Sequence, residues 1–178
     1  MVPLLLFALV PSLQAPWPCN DSFVVSQSNG GAVSHQGVEQ FAWDFDLDEG
    51  DPVLAAAGGT VIHLRTDSTV GGCDPSFGND ANYVVIDHGD GSAGLYLHMS
   101  PHSSPLAVGD TVETGDLIGR VGLTGWVCGD HLHFQVQQIC GSWYCQSVSA
   151  SFAGQGVPGL FEAVQSNNCP SCDADLDG

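Results

Sequence analysis

Two histidines stand one residue apart in Cys128-Gly129-Asp130-His131-Leu132-His133-Phe134-Gln135-Val136. Leu132, Phe134 and Val136 alternate with His131, His133 and Gln135, which is the period of a β-strand. Both imidazoles therefore project from one face while the apolar set packs on the other. A buried core suits such a pair poorly, because each ring brings two nitrogens that need partners. A metal centre suits it well, with one ligand and one catalytic group beside the same ion. Three other positions invite the same chemistry. His35 ends a polar loop, and Asp44 lies between Trp43 and Phe45, where a carboxylate has to be paired, metal-bound or at a strand end. His98 closes an apolar strand on the same predicted face as Tyr96. These residue types describe one Zn²⁺ ion held by mixed His and Asp ligands, with a coordination position open to water. Zinc there would lower the pKa of that water and polarise a carbonyl oxygen.

The elements that must hold these groups read as short strands. Phe41–Leu47 alternates, Gly50-Asp51-Pro52 is a turn, and Thr60–Leu64 is a strand entered from Gly58-Gly59. Tyr83–His88 and Gly94–Met99 form a hairpin about Gly89-Asp90-Gly91. Phe23-Val24-Val25 gives one more strand, and residues 152–166 have room for one short helix. Twenty-three glycines, 10 prolines and turn signals every 8–12 residues make the class all-β, with no sustained helical period. The chain of 178 residues, 43% hydrophobic, is enough for one domain with a core and an extension at either end.

Charge excludes several functions. Against 20 acidic residues there are two arginines and no lysine, a formal net charge of −18. Nothing is present to neutralise nucleic-acid phosphates or to seek an anionic lipid surface, so neither partner is expected. Seven cysteines point to an oxidising compartment, periplasmic or extracellular. The apolar run Val2–Val10 followed by Ser12-Leu13-Gln14-Ala15 reads as a secretory leader over 1–15, too short to span a bilayer. Cys140 and Cys145 are spaced to staple a hairpin, Cys73 and Cys128 to brace a cleft wall, and Cys169 and Cys172 to form a short bridge. Sequence does not fix their connectivity. The acidic end, Asp173-Ala174-Asp175-Leu176-Asp177-Gly178, opens like a calcium loop without its closing carboxylate.

Four blocks in order carry a family resemblance. They are Ser34-His35 with Ala42-Trp43-Asp44-Phe45 and Gly50-Asp51-Pro52-Val53; Asn82–Gly89 with Leu95-Tyr96-Leu97-His98; Val108–Val112 through Thr124-Gly125; and His131-Leu132-His133-Phe134. From about residue 23 to 138 the chain resembles the M23 (lysostaphin/LytM-type) zinc metallopeptidases. The resemblance implies a small antiparallel β-sheet or sandwich, like a duplicated hybrid motif, with a groove over one sheet. It divides the chain into a lead-in over 16–34, a peptidase domain over 35–150 and a C-terminal extension over 151–178.

Carried over position by position, the family's zinc ligands fall on His35, Asp44 and His133. Its catalytic histidines fall on His131, which holds or deprotonates the water at the metal, and on His98, which assists and stabilises the oxyanion. Tyr96 is a candidate substrate-binding residue. The chain departs from many members in having eight residues between His35 and Asp44. Asp46 and Asp48 are rivals for the ligand role, and the spacing to Gly50-Asp51-Pro52-Val53 favours Asp44, with Asp46 in a supporting position. His88 is expected in a hydrogen-bonded turn, and His63 and His102 on the surface. The implied activity is that of a secreted, monomeric zinc metalloendopeptidase cutting peptide bonds of bacterial peptidoglycan, with loops 66–81, 99–107 and 123–130 walling the groove. The alternative is a non-catalytic module of the same fold that binds cell wall or activates an amidase.

Overall fold

The computed structural model describes residues 13–169. Its twelve strands are β1 (Ser22–Gln27), β2 (Trp43–Phe45), β3 (Pro52–Leu54), β4 (Gly59–Arg65), β5 (Gly71–Gly72), β6 (Tyr83–Asp87), β7 (Ser92–Leu97), β8 (Thr111–Val112), β9 (Leu117–Arg120), β10 (Gly125–Trp126), β11 (Leu132–Gln138) and β12 (Ala163–Gln165). Eight of them form one sheet in the order β12-β1-β2-β11-β7-β6-β4-β8, every neighbour antiparallel. The fold is therefore the all-β, mostly antiparallel one that the turn spacing predicts.

The sequence alternation of β11 is obeyed. Leu132, Phe134 and Val136 enter a core with Trp43, Phe45 and Tyr96 from neighbouring strands. Strands β3 and β9 pair in a separate two-stranded ribbon, and Val53 of the first and Ile118 of the second belong to the same core and make it a two-layer sandwich. Trp43, Phe45 and Phe134 are fully buried, and each such side chain stabilises the domain by about 1.5–3 kcal/mol. On the opposite face, Val85, Leu95 and Leu97 form a smaller cluster beneath Trp143 and Tyr144.

The terminal segments are part of this body. β1 and β12 extend the sheet beyond β2, so the lead-in and the extension complete the domain instead of flanking it. Residues 152–166 hold turns and β12, not a helix, because Phe152 and Val164 are both pinned in the core and the backbone of β12 pairs with β1. A Cys19–Cys169 disulfide joins the two segments across a separation of 150. That pairing replaces the expected Cys169–Cys172 bridge; Cys172 and the acidic Asp173–Gly178 end lie outside the described residues. At the other end, residues 1–12 also lie outside them. Leu13 and Ala15, which the leader reading includes, are fully buried, with the Ala153 amide donating to Leu13 and the Gln14 amide to Ala56.

Two further disulfides, Cys73–Cys128 and Cys140–Cys145, match the pairs singled out in the sequence. The first ties the loop after β5 to the loop before β11. Those loops already meet through the parallel β5–β10 pair, where a Cβ on Gly71 would overlap the Leu123 carbonyl. Glycine is required at that close approach.

Candidate metal centre

Register builds the centre. β11 lies between β2 and β7, with His133 directly opposite Asp44 on one side and Leu97 on the other. Directly opposed residues have Cβ atoms about 4.5–5.5 Å apart, so their side chains meet. His133 Nδ1 lies 3.0 Å from Asp44 Oδ1, and His35 Nε2 lies 3.1 Å from the same oxygen. Ligand atoms of His35, Asp44 and His133 all fall within 4.8 Å of one another, and all three residues are buried. Ligands about 2.0–2.1 Å from a tetrahedral zinc stand about 3.3 Å apart. The donor types and this spacing fit that ion.

Burial alone would raise the Asp44 carboxyl, but hydrogen bonds from His133 and His35 and the neighbouring imidazole charges hold it well below the usual carboxylate range. It is an anion, as a ligand must be. Burial works to depress His133, and Asp44 outweighs it, raising the imidazole above its ordinary value.

Backbone carbonyls orient three of the four histidines at the centre. His35 Nδ1 meets Ser28 O at 3.1 Å, His131 Nδ1 meets Gly129 O at 2.9 Å and His98 Nδ1 meets Thr124 O at 2.8 Å. A carbonyl only accepts, so each Nδ1 carries a proton and Nε2 is the ring nitrogen turned toward the centre. The rings of His98 and His131 are 4.8 Å apart, and His131 Nε2 lies 3.8 Å from Asp44 Oδ1. Burial, with help from the charges of His131 and His133, pushes His98 down to about 3. His98 is thus a neutral imidazole. It reaches the groove because its backbone turns left-handed, at φ +63, just past the end of β7.

That turn separates His98 from Tyr96, which corrects the expectation for the tyrosine. Tyr96 is fully buried on the core side, its ring tilted at 44° against that of Phe134, with its hydroxyl accepting from the Ala56 amide at 2.8 Å. It cannot touch a ligand in the groove. Asp46 is exposed on the rim and Asp48 is exposed beyond it, so neither competes for the centre. His102 is exposed, His63 is half-buried, and His88 Nδ1 bonds the Gly58 carbonyl at 2.8 Å.

The place beside Asp44 belongs to Gln27, a residue the sequence reading did not single out. β1 sets Gln27 opposite Asp44, and its Nε2 donates to Asp44 Oδ2 at 2.8 Å. Its Oε1 accepts from the amides of Val33 and Ser34, each at 3.2 Å, which fixes the amide's orientation. Gln27 therefore occupies one carboxylate oxygen and leaves Oδ1 turned toward the two imidazoles.

The centre lies in the floor of a groove of about 1060 Å³. Pro75, Gly78 and Asn79 wall one part of it and Trp126 with Cys128, Gly129 and Asp130 another, as expected of loops 66–81 and 123–130. Loop 99–107 contributes nothing. It is tied back by Ser100 N to Arg120 O and by His102 N to Thr66 O. Its place is taken by Gly31–Ser34, Trp143, Tyr144 and Leu160. Glu39, Asp46 and Asp130 line the groove, and neither arginine does.

Comparison with known proteins agrees with this geometry. The profile of peptidase family M23 matches residues 35–148. An uncharacterized metalloprotease of Haemophilus influenzae is 34% identical over 101 residues, 57% of this chain and 18% of the relative. Peptidoglycan DD-endopeptidase ShyA of Vibrio cholerae is 36% identical over 93 residues, covering 52% of this chain and 19% of its own. The chain thus spans under a fifth of the length of these relatives. Among solved structures, the catalytic domain of the prophage-encoded M23 protein EnpA of Enterococcus faecalis superposes with a TM-score of 0.54 at 25% identity, covering 71% of this chain and 88% of that one. The M23 metalloprotease pseudoalterin from the deep sea shares the fold, with a TM-score of 0.57 at 23% identity over 78% of this chain and 75% of that one.

Proposed function

The chain belongs to peptidase family M23, and from that premise we propose that it is a zinc endopeptidase hydrolysing peptide bonds of bacterial peptidoglycan outside the cytoplasm. His35, Asp44 and His133 would hold one Zn²⁺. When bound, that ion supplies a Lewis acid, acidifying the attacking water and polarising the scissile carbonyl. The observation that carries the reading is the pair His131 and His98. Backbone carbonyls accept from both Nδ1 atoms, which leaves each Nε2 to face the space beside the His/Asp/His cluster.

The residues divide the work as follows. An extended peptide lies along the groove, between the Trp126–Asp130 wall and Trp143 and Tyr144. His131 Nε2 accepts the water's proton as the water oxygen bonds to the carbonyl carbon. The resulting imidazolium, with its Nδ1–H still held by Gly129, returns that proton to the departing amine nitrogen as the C–N bond breaks. His98 Nε2 holds the water by accepting its second hydrogen; with its one proton given to the Thr124 carbonyl it has none to donate to an oxyanion, so of the role expected for it only the assistance to the water is kept. Positioning by these two rings replaces the glutamate that serves as base in H-E-x-x-H enzymes. The location outside the cytoplasm is supported by three disulfides. Peptidoglycan as substrate is supported by the named activity of ShyA, whose matching segment is 36% identical.

The test is digestion of defined peptidoglycans by the purified, zinc-loaded protein, with new termini identified by mass spectrometry. Cleavage that stops with a chelator and in His133→Ala is expected. A protein that binds no zinc, or a His133→Ala variant with full activity, overturns the proposal.

A further inference from the structure

His133 differs from the other three histidines of the centre. Its second ring nitrogen meets a side chain, not a backbone carbonyl. His133 Nε2 lies 3.4 Å from Gln135 Oε1. Gln135 and Gln137 follow it on the same strand face, at 0% and 1% exposure. Glutamines so deeply buried have to be satisfied, and the partners of these two leave each amide a single orientation. The Cys145 backbone N–H, a donor only, points to Gln137 Oε1 at 3.0 Å, and Gln137 Nε2 donates to Trp143 O at 2.9 Å. Gln135 Nε2 then donates to Gln137 Oε1 at 3.0 Å and to Cys145 O at 3.3 Å. Both of its hydrogens are used, so its oxygen is the atom left facing His133.

We propose that Gln135 is a positioning residue for the metal centre, and that it works as the last link of a relay beginning at the backbone of the Cys140–Cys145 loop. Residue 145 sets Gln137, Gln137 and residue 145 set Gln135, and Gln135 holds the proton of His133 on Nε2. In the metal-free arrangement Nδ1 donates to Asp44 Oδ1; with the Nε2 proton held by Gln135, Nδ1 is the nitrogen that would give up its proton and take the ion. Turning Gln135 over would oppose its oxygen to two other acceptors, Gln137 Oε1 and Cys145 O. The relay rests on the proposed His35/Asp44/His133 ligand set. It gives the disulfide loop a second role: Trp143 and Tyr144 wall the groove while the loop's backbone orders the metal ligand below them. A strand reading of His133-Phe134-Gln135-Val136-Gln137 as ligand, core and solvent face does not contain this. The covering loop is what turns the two glutamines into buried groups.

The test measures zinc affinity by competition with a chromophoric chelator. It also follows the His133 Nε2–H by ¹⁵N-edited NMR of the zinc-loaded protein. Wild type is expected to show a slowly exchanging Nε2–H on His133. Gln135→Met, close in volume but unable to accept or donate at that point, is expected to lose the protected proton and bind zinc about 10–100-fold more weakly. Gln137→Met, one link further out, is expected to fall between the two. A wild-type His133 with no proton on Nε2 overturns the inference without any variant, so misfolding of either mutant does not shelter it. Zinc affinity of folded Gln135→Met equal to wild type also overturns it. If wild type binds no zinc at all, the ligand set itself fails, which is a different result from either.

Discussion

The two faces of β11 are equally buried and held by opposite means. Phe134 and Val136 at 0% exposure are matched by His133 at 3% and Gln135 at 0%. On the core face stability comes from area removed from water, which is nondirectional and tolerant of repacking. On the groove face every atom has a named partner, from Asp44 through Gln135 to Cys145 N. The same backbone thus carries one face that fixes where the strand lies and another that fixes which lone pairs it offers. Substitutions on the two faces should therefore fail in different assays.

The largest effect belongs to the groove face. Asp44→Asn keeps the shape and removes the charge between two imidazoles. Zinc affinity should fall by more than about 100-fold, beyond what loss of a supporting residue costs, and hydrolysis should drop to background. Circular dichroism of the metal-free protein should hardly change. Unfolding of that variant without zinc would mean the carboxylate serves the fold instead. Next comes His131→Ala, where loss of a positioned base should cost about 10²–10⁴ in kcat with zinc affinity close to wild type. Weakened zinc binding there would make His131 a ligand and break the division of labour between the two histidines. Phe134→Ala sits on the other face. It should lose about 3–5 kcal/mol of stability, lowering the melting temperature by about 6–20 °C in a domain of this size. Zinc affinity of the fraction that remains folded should be unchanged, as measured by chelator competition below the transition.

How much of this contrast was legible follows from the range of each signal. Alternation over Leu132–Val136 and a carboxylate between Trp43 and Phe45 are local, and both elements stand where the pattern puts them. Tyr96 misled for a local reason too. Period-two reasoning carries it to the same face as His98 only if the strand continues, and the left-handed turn at His98 ends it. Gln27 was invisible because its role depends on β1 pairing with β2, 17 residues on. Gln135 and Gln137 look like solvent-facing polar residues until the Trp143–Cys145 segment covers them. A visible hint existed: His131, His133, Gln135 and Gln137 are four polar side chains in a row opposite an unbroken apolar face. Cys19–Cys169 closes the longest loop of the three bridges and had no short-range spacing to betray it.

The smallest effect tests whether the groove face can itself be divided. The Trp143 side chain stacks on Tyr83, with centroids 4.5 Å apart and planes 5° from parallel, while its carbonyl receives Gln137 Nε2. Trp143→Ala removes the stack and leaves the carbonyl. An aromatic pair of this kind adds about 0.5–1.5 kcal/mol beyond its area, and the ring is only half-buried, so denaturant titration should show a loss of about 1–2 kcal/mol. Substrate KM should rise, because the ring walls the groove. Zinc affinity should stay at the wild-type value, since the relay runs through the backbone of residues 143 and 145. A fall in zinc affinity as large as that of Gln135→Met would mean that the indole, not the backbone, holds the loop over the glutamines. The metal centre would then depend on the wall that binds substrate, and the two could not be altered separately.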